Sequence, residues 1–190
     1  MSLILHLETS TKVCSACIGR NGELLAYREV QEKNFSHSEN LTLFVEAILQ
    51  ESNISIKELD AIAISEGPGS YTGLRIGTST AKGLCFALHI PLIVIPTLEI
   101  LAHQYKQEDV DYIVPLLDAR RMEVFYAVYD AQLELVQETR AEEIGRGKVQ
   151  SLKSARAKEA IPSPCSNFPK PVSQADKTTR SAFNFSLEIS

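Results

Sequence analysis

The chain has 190 residues, of which 44% are apolar and 23% are charged, so the composition predicts a folded core and excludes a chain that is disordered throughout. The net charge of −5 is divided unevenly, because residues 1–144 carry −10 and residues 145–190 carry +5. An acidic body argues against autonomous nucleic-acid binding, which requires a basic face, whereas the basic tail leaves contact with RNA or with an acidic partner open.

Three features of the sequence favour the cytoplasm over a membrane or the cell exterior. The longest apolar stretch, residues 90–101, is interrupted by two prolines and a glutamate, so it is not expected to span a bilayer. The N-terminus lacks the basic start of a signal peptide. Cys14 and Cys17 lie three positions apart on a predicted strand and therefore point to opposite faces, which favours reduced core thiols over a redox or metal motif.

The first third of the chain predicts a strand, a hairpin and a helix. Residues 3–7 form an apolar run that ends in a polar turn. The Asn21-Gly22 dipeptide favours a tight hairpin turn between strands at residues 14–19 and 23–30. Ser36 and Glu39 form a capping box that begins a helix. The core-facing residues of this helix recur at helical spacing: Leu41, Phe44, Val45, Ile48 and Leu49.

The following segment alternates strands and helices. A buried strand at residues 61–65 leads into a glycine-rich loop at residues 66–73, and a helix then extends to about Leu88. A strand at residues 92–95, a helix at 97–105 and a strand at 112–117 complete the predicted elements. This alternation is typical of an α/β fold.

A weak internal repeat occurs at an offset of 110 residues. The Leu-Glu-Thr tripeptide at residues 7–9 aligns with Leu-Asp-Ala at residues 117–119, and the strand at residues 14–19 aligns with residues 124–129. Two copies of a strand, an acidic turn and a hairpin resemble the duplicated ribonuclease-H-like fold of the acetate kinase, sugar kinase, Hsp70 and actin (ASKHA) superfamily. That superfamily places a carboxylate after the first strand of each lobe, and the equivalent residues here are Glu8 and Asp118.

The length of the chain leaves few residues for a second copy of the lobe. Residues 1–110 suffice for a complete first lobe and residues 111–144 for the start of a second one. The tail at residues 145–190 contains eight serines and four prolines but few large apolar residues, so we expect it to be irregular with few buried contacts. Either the second lobe is naturally abbreviated, or the reading frame departs near residue 145. The charge reversal at that point favours the second possibility.

The sharpest motif is the run Gly-Pro-Gly-Ser-Tyr-Thr-Gly-Leu-Arg-Ile-Gly at residues 67–77. A strand followed by a glycine-rich turn and a helix N-terminus can present backbone amides to a phosphate. The run lacks the Gly-Lys-Ser/Thr of a Walker A loop and a clean Gly-x-Gly-x-x-Gly pattern. Tight turns and close helix packing are therefore the favoured role of its four glycines: Gly67, Gly69, Gly73 and Gly77.

Four segments, in order, resemble the TsaB (YeaZ) family: residues 4–11, residues 37–41, the glycine-rich run with residues 79–84, and residues 118–126. Members of this family are accessory proteins of bacterial tRNA threonylcarbamoyladenosine (t6A) synthesis and non-peptidase homologues of the glycoprotease/TsaD family. The resemblance extends over about residues 1–143, and the tail shows no convincing match.

The resemblance implies a non-catalytic partner of TsaD, which transfers threonylcarbamoyl to N6 of adenosine 37 in tRNAs that read ANN codons. It also implies association with TsaE, a homodimer when the partner is absent, and only indirect contact with tRNA. TsaD carries a metal-binding His-x-x-x-His, but the equivalent positions here are Thr97 and Leu101, which cannot replace imidazole ligands. ATP and metal are therefore expected in TsaD, and no cofactor or catalytic residue is expected in this chain.

Two enzymatic alternatives remain open. An independent ASKHA-type ATPase or kinase would use Glu8, Asp118 and the glycine-rich loop. The tail offers no material for an adenosine pocket, so retained fold geometry, with at most a vestigial nucleotide site, is the favoured role of the two carboxylates. A peptidase is less favoured, because the sequence contains no Ser/His/Asp or Cys/His arrangement with motif spacing.

Residues outside the core faces of the two predicted helices are candidates for a protein interface. On the second helix they form a stripe of mostly small residues, which lets another helix approach closely. Contact between the two helices of this chain is the alternative. The resemblance favours an interface, since TsaB-like proteins use these helices for homodimerisation and for binding TsaD. The candidate residues are Leu43, Ala47, Ile76, Thr80, Gly83 and Ala87.

Overall fold

Two β-sheets and three α-helices make up the part of the chain that the computed structural model describes, namely residues 2–31, 37–104 and 110–143. The first sheet and its helices comprise β1 (Leu3–Glu8), β2 (Val13–Arg20), β3 (Glu23–Gln31), α1 (His37–Glu51), a 3-10 helix (Ile56–Glu58), β4 (Ala61–Gly67), α2 (Tyr71–Leu88) and β5 (Leu92–Pro96). The remaining elements are α3 (Thr97–Gln104), β6 (Tyr112–Ile113), β7 (Leu116–Arg120), β8 (Glu123–Asp130) and β9 (Leu135–Glu143). The α/β fold predicted from the sequence is confirmed.

β1 lies at the centre of the first sheet, whose strand order is β3-β2-β1-β4-β5. It pairs antiparallel with β2 and parallel with β4, and β4 pairs parallel with β5. The hairpin between β2 and β3 turns at Asn21 (φ +52°) and Gly22 (φ +81°), the left-handed conformations that a two-residue hairpin turn requires. The hairpin predicted at this dipeptide is confirmed.

Apolar side chains of α1 and α2 cover one face of the first sheet. The buried cluster includes Leu3, Leu5 and Leu7 of β1, Leu41, Val45 and Ile48 of α1, and Ala81 of α2. Cys14 belongs to this cluster, whereas Cys17 is buried in a separate cluster with Leu24. The thiols of Cys14 and Cys17 therefore point to opposite faces of the sheet, as their spacing predicts.

A second core forms where α3 packs against the second sheet. It contains Leu98, Leu101 and Ala102 of α3 together with Ile113, Ala127 and Tyr129. Because α3 also contacts β4 and β5, this helix connects the two sheets.

The strand predicted at residues 112–117 is interrupted. β6 and β7 are two segments that pair with β8 in one continuous register, from Tyr112 opposite Asp130 to Leu117 opposite Phe125. Pro115 lies in the gap between them and has no N–H to donate to the ladder. The expectation of one unbroken strand is therefore wrong, although its direction and register are continuous.

The second sheet repeats the strand and hairpin of the first. β2 and β8 both have eight residues and begin 110 positions apart, which confirms the repeat. The strands that precede β2 and β8 pair with them in different registers. Leu7 of β1 opposes Ala16, whereas Leu117 of β7 opposes Phe125, so the paired residues are one position closer along the chain in the second copy. The turn differs in the second copy, where Arg120 at the end of β7 and the two residues before β8, Arg121 and Met122, have positive φ.

Some predictions fall outside the described residues. Ser36 of the capping box precedes the described start of α1, and the tail at residues 145–190 follows the last described residue, Glu143. The lobe boundaries at residues 110 and 144 stay predictions. Within the described ranges, no helix is both long enough and apolar enough to cross a membrane.

Candidate functional site

The chain that follows β1 meets the start of α2 in a tight junction. The hydroxyl of Ser70 caps α2 by accepting a hydrogen bond from the Gly73 amide at 3.3 Å. The Ser70 amide donates to the carbonyl oxygen of Ser10 at 2.6 Å. Gly67, which ends β4, adopts φ +122°, a conformation that favours glycine. The amides of Ser70 and Gly73 therefore donate hydrogen bonds within the chain and are not presented to a phosphate.

Three glycines of α2 and the loop before it make this close approach possible. A Cβ on Gly69 would stand 2.5 Å from the Ser10 carbonyl oxygen. A Cβ on Gly73 or Gly77 would collide with the carbonyl or the hydroxyl oxygen of Thr9, respectively. These three glycines therefore let the start of α2 pack directly against residues 9 and 10.

Glu8, at the end of β1, precedes this junction and is buried, with 1% of its surface exposed. Its Oε1 accepts hydrogen bonds from the Ser10 amide at 2.5 Å and from the Ser65 hydroxyl at 2.8 Å. Burial raises the pKa of the Glu8 carboxyl above its usual range, and the hydrogen bonds from Ser10 and Ser65 oppose that rise. In this position the Glu8 carboxyl has almost no contact with solvent.

Asp118, the predicted counterpart of Glu8, lies on β7 of the second sheet and is exposed. Its Oδ1 accepts a hydrogen bond from the Arg120 amide at 2.7 Å. The structure therefore encloses one carboxylate of the predicted vestigial nucleotide site and exposes the other.

Thr97 and Leu101, at the positions of the histidine motif of TsaD, are buried in α3. The described ranges contain no group of three or more side chains of metal-ligating type.

The solvent side of α1 and α2 exposes large apolar side chains, and we call it the outer helix face. On α2, Phe86 is 82% and Tyr71 is 75% exposed, while Leu43 on α1 is 59% exposed. The Arg75 guanidinium lies 5.4 Å from the centre of the Tyr71 ring, within the range of a cation–π contact. Apolar patches that are exposed and contiguous are typical of protein-binding surfaces, whereas single exposed apolar side chains are common on protein surfaces.

The six predicted interface residues differ in exposure. Three are exposed: Leu43, Gly83 and Ala87. Three are half-buried: Ala47, Ile76 and Thr80. No atom lies within 4 Å of the point where a Gly83 Cβ would stand, so this position is open. Ile76 instead packs against the core of the first sheet, which corrects its placement in a stripe separate from the core. The role of these residues in an interface stays a prediction.

Sequence reasoning missed two features of this region. Phe86 lies at helical spacing from Arg75 and Lys82, which are also exposed, and this charged stripe was an available signal for the outward direction of its ring. The buried hydroxyls around Glu8 were also missed. Strand alternation places Glu8 and its cross-strand partner Ser15 on one face of the sheet, and that pattern was readable.

Comparisons with known proteins match two related groups, TsaD and TsaB. A family model described as TsaD: tRNA N6-adenosine threonylcarbamoyltransferase matches residues 29–186, so the match extends past residue 143, where the resemblance was expected to end. Proteins named tRNA threonylcarbamoyladenosine biosynthesis protein TsaB are similar in sequence. The Haemophilus influenzae protein is 32% identical over 125 residues, or 65% of this chain and 52% of that protein. The Bacillus subtilis protein is 33% identical over 136 residues, or 71% and 58% respectively.

A solved structure is similar as well. YeaZ from Pseudomonas aeruginosa superposes with a TM-score of 0.69 and 30% identity, covering 77% of this chain and 70% of that one. This chain spans about half the length of the curated relatives that it matches.

Proposed function

Because the chain belongs to the TsaB (YeaZ) family, we propose that it is a non-catalytic partner of TsaD in the N6-threonylcarbamoylation of adenosine 37 of tRNAs that read ANN codons. Relatives named for threonylcarbamoyladenosine biosynthesis in several bacteria support this assignment. In this role the chain supplies a binding surface, and TsaD supplies the chemistry of the transfer.

The observation that carries the proposal is the outer helix face. It presents Leu43, Tyr71 and Phe86 to solvent on the two helices whose opposite sides form the core of the first sheet. Burying one such side chain completely in an interface contributes roughly 1.5–3 kcal/mol. Gly83 lies one helical turn before Phe86 and is open, so a partner helix can approach α2 closely there.

The same face accounts for the proposed homodimer. Gly83 offers a gap and Phe86 a projecting ring on one side of a single helix. In a two-fold symmetric pair of antiparallel helices, each ring can fill the gap of the other copy. Dimerisation and TsaD binding would then compete for one surface, so that the dimer persists only without TsaD.

Three observations support placing the ATP and the metal in TsaD. Glu8 is enclosed by its own chain, and the amides of Ser70 and Gly73 are already hydrogen-bonded. Thr97 and Leu101 supply no ligands at the positions of the histidine motif. Within the same proposal TsaE joins the assembly together with TsaD, the acidic body meets tRNA only indirectly, and the complex works in the cytoplasm.

The test is capture of TsaD by the tagged full chain, combined with restoration of t6A in tRNA from cells that lack their own TsaB-type protein. We expect co-purification in a fixed ratio and recovery of the modified nucleoside. Failure of both would contradict the proposal. ATP turnover by the isolated chain that disappears in both Glu8→Gln and Asp118→Asn would support the kinase alternative instead. Digestion of casein would support a peptidase, and elemental analysis that finds one metal ion per chain would contradict the placement of the metal in TsaD.

A further inference from the structure

The buried polar residues of the described chain gather at one edge of the first sheet. β1, β4 and β5 end at this edge, and β2 begins there. The six residues are Glu8, Thr9, Ser10, Ser15, Ser65 and Thr97. A buried polar group is unfavourable unless it is hydrogen-bonded, so each polar atom of this cluster requires a partner.

Four oxygens of the cluster are enclosed and make no hydrogen bond to the protein: Glu8 Oε2, Ser10 Oγ, Ser15 Oγ and Thr97 Oγ1. Each buried polar atom left in this state costs about 1–3 kcal/mol. Several such losses in one region are large against a total stability of about 5–15 kcal/mol. The described protein groups therefore do not complete the network by themselves.

Glu8 and Ser15 are neighbours in this network. They stand opposite each other in the β1–β2 ladder, so their side chains leave the sheet on the same side. Nevertheless, Glu8 Oε2 and Ser15 Oγ do not bond to each other. Neighbouring buried polar groups that are too far apart for a direct bond are commonly bridged by water, which makes about two to four hydrogen bonds in such sites.

The Glu8 carboxyl also lacks a counter-charge among the described side chains. Arg28 pairs instead with Glu51 at the surface. His6 and Cys17 share the sheet face of Glu8, and burial lowers the pKa of His6 to about 4, so this imidazole is uncharged at neutral pH. The other titratable groups on the packed elements are Glu66 on β4, Arg75 and Lys82 exposed on α2, and Glu99 and His103 on α3. An ionised carboxylate enclosed without a counter-charge is far less favourable than the neutral acid.

We propose that Glu8 is a neutral carboxylic acid in the native protein and that a buried water molecule is bound between it and Ser15. The Oε2–H group donates to the water, and the water donates to the hydroxyls of Ser15 and Ser10. Oε1 keeps its two bonds from the Ser10 amide and the Ser65 hydroxyl. Three of the four enclosed oxygens thereby gain partners without any charge in the core.

The network has a structural consequence for α2. It ties the end of β1 to β2 and β4 at the point where residues 9 and 10 meet the glycines of α2. The direction of the Glu8 pKa, which burial raises, agrees with a protonated group. Ionisation of Glu8 would place a charge in this junction and weaken the support on which α2 packs.

The first test compares the pH dependence of unfolding for the full chain and for Glu8→Gln. Glutamine has the same size, keeps an acceptor, replaces O–H by N–H and cannot ionise. In the unfolded chain Glu8 loses its proton near the ordinary pKa of 4.5, whereas the folded protein retains it at higher pH. Above pH 4.5 the wild type should therefore lose stability relative to Glu8→Gln, by up to about tenfold in the folding equilibrium per pH unit until the folded pKa is reached.

Glu46→Gln is the matched control, because it removes a carboxylate from an exposed position on α1 and should leave the pH profile of the wild type unchanged. Parallel profiles for the wild type and Glu8→Gln would overturn the neutral carboxyl. A second outcome would also overturn it: at constant ionic strength, the stability of the wild type changes with the identity of the alkali cation, and that of Glu8→Gln does not. A cation, and not a water molecule, would then be bound beside Glu8.

A crystal structure at atomic resolution tests the water directly and does not require a variant that folds. We expect unequal C–O bond lengths in Glu8 and a solvent peak within hydrogen-bonding distance of both Glu8 Oε2 and Ser15 Oγ. Equal C–O bonds would contradict protonation. A direct bond between Oε2 and Ser15 Oγ, with no solvent between them, would contradict the bound water.

Discussion

Gly73 and Thr9 are in direct contact, because the carbonyl oxygen of Thr9 occupies the space that a Cβ at position 73 would need. This contact joins the first turn of α2 to the turn that follows β1. It sets the distance between α2 and the sheet, and therefore the position of the outer helix face on the opposite side of the helix.

Gly73→Ala should destabilise the protein by about 3 kcal/mol or more, because the obstacle is a backbone carbonyl that cannot turn aside. Gly83→Ala lies on the same helix with no atom within 4 Å of its Cβ, so it should stabilise by up to about 1 kcal/mol through helix propensity. Urea unfolding of the two variants measures both effects. Equal responses would show that α2 does not rest on Thr9.

Gly83→Leu should abolish association without unfolding the chain. Leucine has the better helix propensity by up to about 1 kcal/mol, so the thermal melt should hold or rise. In a close helix contact the side chain would overpack by about 1–3 kcal/mol, and a symmetric dimer meets that loss twice. Sizing and TsaD capture give the readout, with Gly83→Ala as the smaller control. Unchanged dimerisation and capture with a normal melt would place the interface elsewhere.

Phe86→Ala should weaken capture of TsaD while leaving the stability of the chain nearly unchanged, since 82% of the ring surface is exposed in the free protein. An aromatic anchor at the centre of an interface contributes about 2 kcal/mol, which corresponds to roughly thirtyfold in affinity. Tyr112→Ala on the second sheet removes another exposed aromatic ring and should not affect capture. If Tyr112→Ala is the more harmful change, the binding surface lies on the second sheet.

His6→Gln should make the protein less sensitive to mild acid. Burial lowers the pKa of His6 to about 4, whereas the unfolded chain takes up the proton near 6.5. The wild type should therefore lose stability as the pH falls from 6.5 towards 4, by roughly tenfold in the folding equilibrium per pH unit.

Glu8 contributes in the opposite direction over part of this range, so the His6 effect is obtained from the difference between wild type and His6→Gln at each pH. His89→Gln, at the exposed end of α2, is the control for removal of a histidine. A titration of the His6 ring followed by NMR gives the same quantity directly, and a ring that is protonated at pH 6 would contradict the prediction.

Patterns within short stretches of the sequence predicted most of the secondary structure. The Asn21-Gly22 turn and the helical spacing of Leu41, Val45 and Ile48 depend on residues that are close along the chain, so backbone preference and periodicity reveal them. The break at Pro115 was readable by the same logic, because proline lacks the N–H that a strand ladder uses. The family resemblance likewise rests on contiguous segments.

Only part of the candidate site could be predicted from the sequence, because its contacts join residues that are far apart along the chain. The motif identified Gly73 as a packing residue but not Thr9 as the group against which it packs. Glu8 was expected as a carboxylate at a strand end, yet its hydrogen bonds come from Ser65 of a neighbouring strand and from the amide of Ser10 in the turn after β1. Local sequence sets the conformation of each element. The burial of Glu8 follows from how complete elements pack, since a side chain loses its contact with water only when distant parts of the chain exclude it.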